Sequence, residues 1–370
     1  METVAGAKRS HDAQRGTPLW AWLVPVACLC LALVSLSVPI GIVLEWLCLA
    51  ALVAAVVATV HHVEVVAHRI GEPFGTLFLA ISVTIIEVGL IVTVTMAGGA
   101  APTLARDTIF SVIMITCNGL VGLSLLVGAL RHREQAFHVL GANAILATLI
   151  AVTTLSLVLP GFTISSPGPT YTRGQLSFVA VASIVLWGSS VLVQTSRHRE
   201  YFLPVARPGG DLSHLVRPGV RRTLLSFVLA WVGLSSVVLL AHGLAPAIER
   251  TVEITGVPKV VVSIAIATLT LLPEAGAALR AAWRDQLQTS LNLALGSALA
   301  SIGLTIPAVA VGSILLGTPM VLGLAPKELI LLALTFGVVS ITLVAGRTHV
   351  LQGIVHLVIF GAFLVFSVLP

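Results

Sequence analysis

With 370 residues, 57% of them hydrophobic and 9% charged, the chain carries far too little charge for a water-soluble surface, where about a quarter of residues would be charged. The formal charge of +5 comes from Lys and Arg placed between long apolar runs, which argues against nucleic-acid binding and for orientation in a lipid bilayer. Cys28, Cys30, Cys48 and Cys117 all fall inside apolar runs and lack the spacing of a zinc site or a disulfide framework.

A helix needs about 20 apolar residues to cross the hydrocarbon core. Eleven runs meet that need: Trp20–Leu36, Ile40–Val60, Phe74–Met96, Thr108–Leu130, Val139–Leu159, Leu176–Gln194, Thr223–His242, Val260–Ala282, Leu291–Leu316, Leu329–Ala345 and Val350–Leu369. The first follows Lys8, Arg9 and Arg15, as the apolar core of a signal peptide would. No small-residue cleavage site closes it, however, so it is expected to stay as a helix. The fold class expected is an all-α polytopic membrane protein of about eleven transmembrane helices.

Lys and Arg gather in cytoplasmic loops. With the amino terminus inside, 15 of the 20 basic residues fall in inside segments, and only Arg106, Arg173, Arg250, Lys259 and Lys327 fall outside. The expected location is a bacterial inner (plasma) membrane, with a cytoplasmic tail over 1–19 and the carboxyl terminus periplasmic or extracellular. The Arg-, Pro- and Gly-rich stretch 196–222 reads as a cytoplasmic linker.

Most carboxylates lie in loops or at the ends of runs, but two do not. Glu87 has 13 residues of its run before it and 9 after; Glu274 has 14 and 8. An ionisable group at that depth costs about 2.5–3.5 kcal/mol, and such groups mark ion or proton paths. A carboxylate away from water either keeps a proton or binds a cation, so Glu87 and Glu274 are the candidate proton- and metal-binding residues. The sequence has three asparagines, Asn118, Asn143 and Asn292, and all fall within runs. Each offers an oxygen to a cation, or an amide to bond helices together.

Glu87-Val-Gly89 matches Glu274-Ala-Gly276. Hydroxyls precede both, Ser82 and Thr84 in one case and Thr268 and Thr270 in the other. The run after each brings Cys117-Asn118-Gly119, or Asn292 with Gly296-Ser297. The two glutamates stand five runs apart, so their helices would cross in opposite directions. Two inverted five-helix repeats follow, over 38–195 and 223–370, with the helix over 20–37 as an extra. That architecture places a shared site at mid-bilayer, with Pro273 and Pro307 as candidate helix breakers.

At these residues the chain resembles the cation/calcium exchanger superfamily, and in particular bacterial Cha-type calcium (sodium, potassium)/proton antiporters. The likeness is carried by Gly71-Glu-Pro-Phe-Gly through Glu87, by Arg106-Asp107, and by Met114-Ile-Thr-Cys-Asn118-Gly119. It continues in Leu272-Pro-Glu274 and in Arg284-Asp through Asn292 and Gly296-Ser297 to Pro307. The resemblance implies antiport by alternating access, with Glu87 and Glu274 binding Ca2+ or protons in turn and Asn118 and Ser297 at matching family positions; Thr84, Thr270 and Asn292 are further candidate ligands by their oxygens and their place in the runs. It implies inorganic cations and protons as cargo, with Na+ and K+ beside Ca2+, membrane lipid as the surroundings, no cofactor and no nucleic acid. Monomer and homo-oligomer are both open. The chain departs from the wider calcium/proton branch at Ile113-Met114, in place of Gly-Ser, and at Ala300, in place of Gln.

His61, His62, Glu64, His68 and Glu72 read as a solvated face beside the membrane or as a cation antenna, and His356 as a packed or bonded residue. An enzyme is not expected: no aspartate lies within a run, and there is no Gly-x-Ser-x-Gly elbow. The rival reading is a proton-coupled transporter of a small organic solute, for which these runs offer few fixed cations or aromatic rings.

Overall fold

The computed structural model describes residues 18–38, 41–71, 74–96, 102–203, 218–317 and 320–369, and among these every expected run is a helix long and apolar enough to span a membrane. In chain order they are α1 (Leu19–Ser37), α2 (Ile42–Ile70), α3 (Phe74–Met96), α4 (Leu104–His132), α5 (Val139–Phe162) and α6 (Arg173–Arg197). Then come α7 (Val220–Thr255), α8 (Val260–Trp283), α9 (Leu287–Leu316), α10 (Pro326–Val344) and α11 (Val350–Val368).

Local chemistry sets the ends. Gly71, at φ 78°, stops α2, and its N–H bonds the Ala67 carbonyl at 2.9 Å. Thr172 and Gln175 cap each other at the start of α6. Two helices outrun the apolar pattern. Helix α2 continues past Val60 to Ile70, so the histidine-rich stretch forms its last turns. Helix α7, expected over 223–242, has 36 residues and is about 54 Å long, against a hydrocarbon core of about 30 Å.

Pro273 and Pro307 do not break their helices. A proline removes one N–H, and α8 and α9 run on through it. What each leaves is a carbonyl, Leu269 or Gly303, without the donor four residues ahead. Among the described residues the regular helix is interrupted elsewhere, by π-helical turns at Ile115–Leu120 in α4, Thr154–Val158 in α5 and Val193–Arg197 in α6.

The chain packs as two compact units, and each is described by itself. One comprises 1–82 and 207–244, which include α1, α2, the start of α3 and most of α7. Proline chemistry holds this unit together. Pro25 lies inside α1 and lacks an N–H, so the Ala21 carbonyl loses its intrahelical donor. His62 Nε2 reaches that carbonyl at 2.6 Å, while its Nδ1 lies 3.2 Å from the Ser226 hydroxyl on α7. The carbonyl can only accept, so Nε2 carries the hydrogen and Nδ1 accepts from Ser226. Ser236 Oγ shares its hydrogen between the Val232 carbonyl at 2.8 Å and the Pro25 carbonyl at 3.2 Å, and Cys28 Sγ donates to the Ala51 carbonyl at 3.3 Å. A Cβ on Gly233 would collide with the Thr59 hydroxyl, so α2 and α7 meet closely there. The solvated face expected at 61–72 is therefore corrected for His62, which is fully buried. His61 lies half-buried against the Trp20 ring, 5.2 Å between centroids, and Glu72 is outside the described residues.

The other unit comprises 83–206 and 245–370. Helix α4 is its most enclosed span, packed against α8, α9 and α11. Gly119, Gly122 and Gly353 let α4 and α11 approach closely, as small residues do where lipid removes the hydrophobic driving force. Gln135–Ala136 (β1) pairs antiparallel with Arg347–Thr348 (β2), joining the chain after α4 to the chain before α11. Asp107, one residue before the expected run, sits buried in the first turn of α4 with its charge met by Arg106 at 2.7 Å. The sequence halves over 38–195 and 223–370 run across these units, and most of the linker over 196–222 lies outside the described residues.

Candidate functional site

Glu87 lies in α3 with 1% of its surface exposed. Its two carboxylate oxygens lie 2.8 and 2.7 Å from a single hydroxyl, Ser301 Oγ on α9. One hydroxyl hydrogen cannot serve two oxygens fully, so an ionised Glu87 shares it between them. A protonated Glu87 instead donates to Ser301 through one oxygen and leaves the other to accept. The pair accommodates both protonation states without moving a helix. One turn along α9, Thr305 turns its buried hydroxyl toward the same carboxylate without closing a full hydrogen bond.

Glu274 is half-buried in α8, next to Pro273 and five residues past the Leu269 carbonyl. Thr84 is buried one turn before Glu87. Ser297 is half-buried one turn before Ser301. Helices α8 and α9, which carry Glu274 and Ser301, pack against each other along their length.

Three expected ligands have other partners. The Thr270 hydroxyl bonds back to Ile266 and Ala267 carbonyls on its own helix, at 3.2 and 3.1 Å. Asn292 donates to the Phe202 carbonyl at 2.6 Å and accepts from Gln288 at 2.9 Å, tying down the chain that follows α6. Asn118, fully buried in the π-helical turn, donates to Thr335 Oγ1 at 2.9 Å, and its oxygen lies 3.2 Å from His356 Nδ1. His356 is bonded, as the sequence suggests. Among the described residues no three His, Cys, Asp or Glu side chains gather as a metal cluster. The Glu87 carboxylate stands with a hydroxyl, which suits hard cations and protons better than transition metals.

Ser301 was not anticipated, although a signal for it exists. It stands five residues after Gly296, as Asn118 stands five after Ile113, so it occupies the Asn118 place in the second repeat. It also offsets the departure at its neighbour Ala300 by supplying a hydroxyl.

Among the described residues eleven candidate spans, with a buried carboxylate bonded between two of them, define a polytopic membrane protein. The sodium/calcium exchanger protein family model matches residues 37–196 and 225–369. A putative ionic transporter of Sinorhizobium fredii is 43% identical over 357 residues, 95% of this chain and 97% of that protein. The sodium-potassium/proton antiporter ChaA of Escherichia coli is 33% identical over 332 residues, 89% of this chain and 90% of that one. The solved structure of native YfkE superposes with a TM-score of 0.72 at 16% identity, over 95% of this chain and all of that one, a likeness of fold. The chain belongs to the sodium/calcium exchanger family, within the cation/calcium exchanger superfamily.

Proposed function

We propose that the chain is a secondary active antiporter that exchanges cations for protons around Glu87 and Glu274. The observation that carries this reading is the buried Glu87 carboxylate, paired with a hydroxyl that serves it in both protonation states. When both glutamates release protons together, one Ca2+ or two monovalent cations balance the charge. Ca2+ takes six to eight oxygens, and two glutamates supply at most four. With Asn292 and Thr270 bonded elsewhere and Thr84 engaged as well, Ser297, Ser301, the Leu269 carbonyl and the second lone pair of the Asn118 oxygen are the oxygens to add. So small a set favours Na+ and K+ as cargo beside Ca2+, and the Escherichia coli relative, a sodium-potassium/proton antiporter, supports that reading.

The test is proton movement in everted vesicles with Ca2+, Na+ and K+ added in turn. Each of Glu87→Gln and Glu274→Gln should abolish exchange while the protein remains folded and in the membrane. Exchange at the normal rate by either variant would overturn the reading. Proton-coupled uptake of an organic solute, with no cation-driven proton release, would favour the rival class.

A further inference from the structure

Asn118 belongs to a buried polar chain across three helices. On α11 His356 is fully buried, with Nδ1 3.2 Å from Asn118 Oδ1 and Nε2 3.1 Å from Thr342 Oγ1 on α10. Thr335, two turns before Thr342 on the same face of α10, accepts from Asn118 at 2.9 Å and spends its own hydrogen on the Leu331 carbonyl at 2.7 Å. Donors and acceptors then fix every member in turn. Thr335 has no hydrogen left, so the Asn118 NH2 must face it and the Asn118 oxygen must face His356. That oxygen can only accept, so His356 Nδ1 carries the hydrogen. The neutral ring then has a bare Nε2, which accepts from Thr342.

A carboxamide turned by half a revolution has nearly the same shape, so packing alone does not choose between its oxygen and its nitrogen. In this chain Thr335 turns the NH2 toward itself, and His356 holds the oxygen on the other side. That leaves one lone pair of the Asn118 oxygen unspent, at a π-helical turn packed against α8 and α9. We propose that His356 is a positioning residue for cation binding, holding the Asn118 carboxamide with its oxygen presented as a ligand and its NH2 turned away. By donating to Nε2, Thr342 supports the His356 tautomer that does this. The proposal rests on the reading that Asn118 lends an oxygen to the transported cation.

The test is apparent KM and maximal rate of cation/proton exchange in vesicles, with Na+, K+ and Ca2+ each used alone. His356→Leu removes the donor and should raise KM on the order of tenfold, the equivalent of one hydrogen bond, with little change in maximal rate. His356→Asn puts an N–H close to the place of Nδ1 and should restore KM to within about twofold, which a packing role does not predict. Thr342→Val keeps the shape of the core while freeing the tautomer, and should raise KM about threefold even if His356→Leu fails to fold. Asn118→Ala separates this idea from the reading beneath it. An unchanged KM in Asn118→Ala sinks the ligand role of Asn118, and this proposal with it. A raised KM in Asn118→Ala, with none in His356→Leu or Thr342→Val, overturns the positioning role alone. So does a His356→Asn variant no better than His356→Leu. If His356 acts through Asn118, the Asn118→Ala His356→Leu double variant should bind no more weakly than Asn118→Ala.

Discussion

Replacing His62 by Leu should reveal how α1 is fastened. The substitution removes the donor to the Ala21 carbonyl, at 2.6 Å, from a position with no water to replace it. A buried carbonyl left without a donor costs about 1–3 kcal/mol, while interhelical bonds in membrane proteins average about 0.6 and reach about 1.7. The short bond and the missing N–H of Pro25 place this one at the upper end, about 1–2 kcal/mol. Pro25→Ala supplies the missing donor within α1 and keeps the residue 25 carbonyl that Ser236 uses. In that background the Ala21 carbonyl no longer depends on His62, so His62→Leu should cost about half as much or less. Equilibrium unfolding of wild type, both single variants and the double variant, in detergent with increasing SDS, gives the coupling directly. A coupling near 1 kcal/mol is expected. If His62→Leu costs the same in both backgrounds, within about 0.3–0.5 kcal/mol, the proline has nothing to do with the histidine.

Three further outcomes concern the site and its surroundings. Ser301→Ala should shift the apparent cation affinity of exchange about tenfold, and Ser301→Thr, which keeps a hydroxyl, should recover most of it; equal values for all three would detach Ser301 from Glu87. Asn292→Leu should lower stability by about 1 kcal/mol yet leave KM for every cation unchanged, because both ends of that amide bind protein groups; a raised KM would return Asn292 to the site. Gly122→Ala should reduce the yield of folded protein and raise KM, since its added methyl would meet the His356 Cβ at 2.9 Å; wild-type values for both would show that the helices yield there.

The helices and the central carboxylates were legible in the sequence because both rest on strong, local signals. A run of apolar residues has few other uses, and a carboxylate in the middle of one has fewer. The partners of polar residues were not legible in the same way. Asn118 and Asn292 look alike in the sequence, yet one sits in a π-helical turn beside His356 and the other bonds the chain near Phe202. Those partners come from 90 residues away or more, and nothing local announces them. The histidine at 62 was misjudged for a related reason. Its charge pattern suggested water, while its bond is dictated by a proline on another helix. Helix breaking was misplaced too, since a proline is visible in a sequence and a π-helical turn is not.

The seam between α4 and α11 has a bearing on how this chain can change over time. Gly119, Gly122 and Gly353 have no side chain with which to bind an ion. Yet Gly353 lies so close to α4 that a Cβ there would meet the Leu126 nitrogen at 2.8 Å and the Gly122 carbonyl at 3.0 Å. Any larger residue must push the two helices apart, and His356 rides on one of them while Asn118 rides on the other. Cation preference can therefore drift through substitutions at positions that never touch a cation, with the width of the seam acting as the dial.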